Sequence, residues 1–272
     1  MDFLCKSPET ILQSLSDWFD CPISETISIL KEDWATKFNT ALKDKDDSLY
    51  KYDFDEEDER IYEDFGIYVL YKGFADYTII NKEVNIHWFH GSRVVDVETF
   101  RNNGIIPLQN IFPTIKTLID DIAKQLNISE CNLDSSWKDQ KKELLQLKMN
   151  NDVDKGPCAM LMYEAVVNAD AFSCHSYIDE PEIISDYSIG KYGEDGNLII
   201  SEFKRITKPV VVEFIEQING SDKTKMDYIV STALTYMYRY IHNEDLDWQC
   251  NTCFSGYGKF IPPERIIDII VL

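Results

Sequence analysis

Residues 84–93 read Val-Asn-Ile-His-Trp-Phe-His-Gly-Ser-Arg. The alternation from Val84 to His90 predicts a β-strand, and Gly91-Ser92-Arg93 predicts a turn at its end. Two of the 4 histidines of the chain, His87 and His90, fall in this stretch. A strand-end histidine followed by Gly and Ser gathers ring nitrogens, a hydroxyl and unobstructed backbone amides at one place. Gly91 lets a ligand approach the main chain closely. Arg93 adds a planar cationic fork suited to a phosphate or carboxylate. Together these groups predict a pocket for a polar ligand that carries sugar and phosphate.

Working outward, Val97 to Asn103 reads as a helix stopped at Gly104. Phe112 to Leu126 reads as another, with Ile115, Leu118, Ile119, Ile122 and Leu126 on one face, and Ser135 to Met149 as a third. Upstream, Pro8-Glu9-Thr10 resembles a helix start, and Ile11, Leu12, Leu15, Trp18 and Phe19 recur at helical intervals within a helical region over positions 8–45. Strands are expected at Phe65–Tyr71, Asp76–Ile80, Cys158–Tyr163, Leu198–Ile200 and Pro209–Phe214, with a helix over Met226–His242 and two closing strands at Trp248–Phe254 and Ile266–Leu272. Helices and strands mix without regular βαβ alternation or repeats, which points to the α+β class. The expected division is a helical, acidic N-terminal region over 1–65 and one catalytic-size domain over 66–272.

The 272 residues carry a formal net charge of −21, which argues against broad electrostatic binding to nucleic acid. Acid is densest between Asp53 and Asp64, with eight carboxylates against Arg60 alone. That run reads as a solvated surface, as a docking segment for a basic partner or as a mimic of nucleic acid. The apolar runs are far shorter than the roughly 18 residues a membrane helix needs, and the opening MDFLCKSPET has no signal-peptide pattern, so a cytoplasmic protein is expected. Seven cysteines without framework spacing fit reduced thiols. Cys250-Asn251-Thr252-Cys253 is a lone CxxC without a second pair, so no metal site is expected. No phosphate-binding loop, dinucleotide fingerprint or nucleophile elbow is present.

Trp88-Phe89-His90-Gly91-Ser92-Arg93, with Phe100 and Gly104-Ile105-Ile106-Pro107 downstream, resembles the first catalytic segment of the poly(ADP-ribose) polymerase branch of the ADP-ribosyltransferases. The likeness covers about 20 residues. It implies a split, mixed or antiparallel β-sheet that binds NAD as substrate. His90 would then hold ribose hydroxyls, Gly91 would clamp the nicotinamide amide through its backbone, Ser92 would support with its hydroxyl, and Arg93 would flank the adenosine or pyrophosphate end. The family's stacking tyrosine falls to Tyr163 or Tyr177, although the usual Gly-x-Tyr-Phe-Ala pattern is absent. Its late glutamate falls first to Glu244, then to Asp247, with Glu264 in reserve.

Such a carboxylate acts by bonding the 2′-hydroxyl more strongly as positive charge develops on the ribose than in the ground state. The resemblance therefore implies an NAD-dependent ADP-ribosyltransferase that modifies a macromolecular acceptor or hydrolyses NAD, in a superfamily whose small prokaryotic or viral members often act as toxins or defence effectors; the charge of −21 slightly favours a protein acceptor over nucleic acid. The alternative is a non-catalytic acidic interaction protein that keeps the fold and binds a basic partner.

Overall fold

The structure is a computed structural model that describes residues 1–44, 65–77, 83–131, 136–150, 156–219 and 222–272. Strand β1 (Asp2–Phe3) leads into helices α1 (Pro8–Phe19), α2 (Ile23–Leu30) and α3 (Trp34–Asp44). Helix α1 begins where its sequence requires. Ser7 accepts from the Thr10 amide while the Thr10 hydroxyl accepts from the Ser7 amide, and Pro8 occupies a position that has no partner for an N–H. After α4 (Phe65–Gly73) come β2 (Glu83–Val94), α5 (Glu98–Asn103), α6 (Leu108–Gln125) and α7 (Ser136–Asn150). Strand β3 (Cys158–Met160), α8 (Tyr163–Val167), α9 (Glu182–Tyr192) and α10 (Gly196–Ile206) precede β4 (Lys208–Asn219) and α11 (Lys223–His242). Short strands β5 (Cys253–Ser255) and β6 (Ile266–Val271) close the chain.

The protein is α+β, built on a six-stranded, mostly antiparallel sheet of order β5-β3-β2-β4-β6. Strand β4 runs antiparallel to all twelve residues of β2, so Gly91, Ser92 and Arg93, expected as a turn, continue the strand opposite Val211, Val210 and Pro209. The other edge of β2 is shared. Strand β1 lies parallel to it at Asn85 and Ile86, and β3 pairs antiparallel at Phe89. Beyond that point no strand covers this edge among the described residues, so the segment Ser92–Val94 is paired on one side only.

The main core lies against one face of the sheet. Phe3, Trp18, Trp88, Phe214 and Leu234 share it, so the N-terminal helices pack on the same apolar mass as β2, β4 and α11. A second core gathers Ile119 and Ile122 of α6, Ile184 and Tyr187 of α9, and Ile199 and Phe203 of α10.

Two expected strands are helices. Phe65–Tyr71 lies in α4, whose Ile67, Val69 and Leu70 are buried against the main core, and a short continuous apolar run carries no period that separates a buried strand from a buried helix. Leu198–Ile200 lies inside α10, where Ile199, Ile200 and Phe203 form the buried stripe and Leu198 faces solvent. Tyr163 starts α8 instead of ending a strand, because β3 stops at Met160. On α6 the expected face divides, with Ile119 and Ile122 buried and Leu126 exposed. The strand expected at Asp76–Ile80 and the acidic run from Asp53 to Asp64 fall largely or wholly outside the described residues, and Asp76 and Tyr77 lie in a turn after α4. Among the described residues no helix is long and apolar enough to cross a membrane.

Candidate functional site

Where β2 outruns β3, a cleft of about 420 Å3 opens between the two cores. His90, Gly91, Ser92 and Arg93 line one side. Ile111, Ile115 and Leu118 of α6 and Ile183 and Ile184 of α9 supply an aliphatic wall, and Tyr177 contributes from the loop before α9. A concave, mostly apolar cavity of this size with a few converging polar groups is the usual form of a small-molecule site.

The His90 ring has a defined state. Its Nδ1 lies 2.6 Å from the carbonyl oxygen of Cys158 on β3, and a carbonyl only accepts, so Nδ1 carries the hydrogen. Desolvation lowers the histidine's pKa below its ordinary value, with the Cys158 carbonyl opposing in part. The ring is therefore neutral at physiological pH, and Nε2 is left as an acceptor suited to a hydroxyl.

Gly91 is closely packed. A Cβ there would lie 2.9 Å from Val166 Cγ1 and 3.2 Å from Ile178 Cγ2, so α8 and the Tyr177–Ile178 segment close directly onto the strand. Arg93 is largely committed to the protein itself. Its Nε donates to Thr207 Oγ1, Nη1 to the carbonyl of Ile178, and Nη2 to the carbonyls of Lys204 and Thr207, at 2.7 to 3.1 Å. One of five N–H groups is left over, so Arg93 cannot offer the bidentate fork that the sequence suggested. It ties the end of α10 and the loop before α9 to β2.

Of the two candidate tyrosines, Tyr177 lines the cleft and Tyr163 does not. Tyr163 packs edge-on against Phe89, centroids 5.5 Å apart, on the sheet face opposite His90. Neither Glu244 nor Asp247 lines the cleft. Asn243, in the left-handed conformation, ends α11, and Glu244 follows as an exposed residue. That helix end rests on the N-terminal helices, where the Tyr238 hydroxyl accepts from the Ala35 amide and His242 meets the Leu30 carbonyl. Asp247 pairs with Arg239 at 2.7 Å and caps the turn at Trp248–Cys250. Glu264 is exposed in the turn that leads into β6.

No protein-family model, curated protein or solved structure matches the chain. The site is thus defined by its own geometry.

Sequence reasoning missed the carboxylates that do line the cleft, Asp96 and Glu182. Glu182 opens α9 and pairs with Lys148 at 2.9 Å, while Lys148 also reaches the buried Asp186 at 2.6 Å. Desolvation lowers the Lys148 pKa, but Asp186 and Glu182 outweigh it and leave it raised, so this ammonium stays charged. Pro181 immediately before Glu182 marks the helix start in the sequence, yet only folding brings α9 to the end of β2. Among the described residues no group of three or more His, Cys, Asp or Glu converges as a metal site.

Proposed function

We propose that the cleft binds NAD and that the protein is an NAD-dependent ADP-ribosyltransferase acting on a macromolecular acceptor. The observation that carries this reading is the imidazole of His90, whose Nδ1 is held by the Cys158 carbonyl and which lines an apolar cleft beside an uncovered strand edge. Nε2 of such a ring accepts from a ribose hydroxyl, the strand edge offers main-chain groups to a carboxamide, and the aliphatic wall and Tyr177 take a flat ring. His90 then serves to position the sugar, which lowers the entropic part of the barrier. Stabilisation of developing charge on the ribose falls to a carboxylate within the cleft, which leaves Glu182 or Asp96 in place of Glu244 and Asp247.

A second reading, binding without turnover, is favoured by the position of Glu244 and Asp247 outside the cleft. Titration calorimetry with NAD, on wild type and His90→Ala, tests the first reading, and chromatographic detection of released nicotinamide separates the two. Saturable binding weakened at least about tenfold in His90→Ala, with nicotinamide release, supports transfer. Binding without release supports the second reading. No binding by folded wild type sinks both.

A further inference from the structure

Beside the cleft, and meeting it at Ile106, runs a second and more open groove between the end of α5, the start of α6 and residues 258–263. Four exposed carboxamides line it, Asn102, Asn103, Gln109 and Asn110, and no charged side chain does. Among the described residues none of these four side chains makes a hydrogen bond within the protein. Phe260 forms one wall and is 50% exposed. Its other side is held, since a Cβ at Gly104 would lie 3.1 Å from the ring atoms Cε2 and Cζ. The loop is fixed by the Ile105–Ile261 bridge and by the Gly258 amide donating to the Gly156 carbonyl at 2.7 Å.

We propose that this groove binds an uncharged carbohydrate chain. Each carboxamide both donates and accepts, as does each sugar hydroxyl, and neither carries charge. Phe260 offers a flat apolar surface to the C–H face of a sugar ring. Other polymers fit less well. A nucleic acid needs cations along its phosphates, and the groove has none on a protein of net charge −21. The common peptide modes need a free strand edge, a row of apolar pockets, several aromatics in a groove or an arginine cluster. Here the extended segment at Ile105 is already bridged to Ile261, and Phe260 is the one aromatic in the lining. This inference does not depend on NAD binding.

Fluorescently tagged neutral hexasaccharides of glucose, galactose, mannose and N-acetylglucosamine are the probes, read by polarisation. The proteins are wild type, the Asn103→Ala/Gln109→Ala double variant, Phe260→Ala and His90→Ala, each checked for its melting transition. The expected result is saturable binding of at least one probe, weakened tenfold or more in the double variant and in Phe260→Ala and unchanged in His90→Ala. Asn103 and Gln109 are exposed and unbonded, so the double variant keeps its fold even if Phe260→Ala does not. Absence of binding by folded wild type at millimolar probe, or undiminished binding by the double variant, overturns the proposal. NAD titration of the same samples reports on the cleft separately, so either reading can fail alone.

Discussion

Arg93 shows how a residue chosen for its chemistry can be consumed by architecture. Its guanidinium satisfies three backbone carbonyls and the Thr207 hydroxyl from two separate segments. Lysine keeps the charge but is a point donor that cannot span that fork. Hydrogen bonds to charged groups are worth about 1.5–3 kcal/mol each, and carbonyls left without a partner add desolvation cost. Arg93→Lys should therefore lose about 2–4 kcal/mol of stability, measured as a lower urea midpoint at unchanged slope. An unchanged midpoint would show that the carbonyls find other partners. The sequence identified Arg93 as a cationic fork but could not say for whom, because its partners lie 85 to 114 residues away.

At the scale of elements, the contact between α4 and α11 depends on Gly66. A Cβ there would overlap the Ser231 carbonyl and the Thr235 hydroxyl oxygen of α11. Replacing glycine by alanine inside a helix gains about 1 kcal/mol in propensity, but overpacking a closed interface costs typically 1–3 kcal/mol. Backbone cannot move aside as a flexible side chain does, so the overlap wins. Gly66→Ala should lower the thermal midpoint, and a rise would mean that α4 shifts freely. The same segment marks where local reading failed. Phe65 to Tyr71 is apolar and aromatic enough for a strand, and its helical state follows from burial on the main core. By contrast, β2, α5, α6 and α11 were legible because alternation, the stop at Gly104 and long 3.6-residue stripes are written locally.

At the scale of the whole molecule, Lys6, His87 and Glu213 link the N-terminal segment to the central strands on the sheet face opposite the main core. The Glu213 carboxylate, 4% exposed, meets His87 Nδ1 at 2.7 Å and Lys6 Nζ at 2.9 Å, joining the segment after β1 to β2 and β4. Burial alone would raise the Glu213 pKa, but the bonds from His87 and Lys6 prevail and hold it below its ordinary 4.5. A depressed carboxylate stabilises the fold above its unfolded pKa, and this contribution is lost as pH falls through the folded value. Desolvation lowers the Lys6 pKa, yet Glu213 outweighs it and leaves it above the ordinary 10.5, so the ammonium's contribution is lost only as pH rises past that raised value. Stability measured by denaturant should thus fall as pH drops below about 4.5, and Glu213→Gln should flatten that acid limb while lowering stability at neutral pH. A variant that keeps the full acid limb would assign it to other carboxylates.

By itself the sequence determined the α+β class, the strand from Val84 to His90 and the long amphipathic helices, since each is specified by residues a few positions apart, whereas the turn expected at Gly91-Ser92-Arg93 is a continuation of that strand, fixed by its pairing with β4. Only the tertiary structure decided what surrounds that strand end. It brought Tyr177, Glu182 and the aliphatic wall of α6 and α9 to the cleft, and set Tyr163, Glu244 and Asp247 elsewhere. The reason is that a cleft forms from surfaces distant in sequence, and the period of a helix or strand fixes which side chains share a face but not which face they will meet.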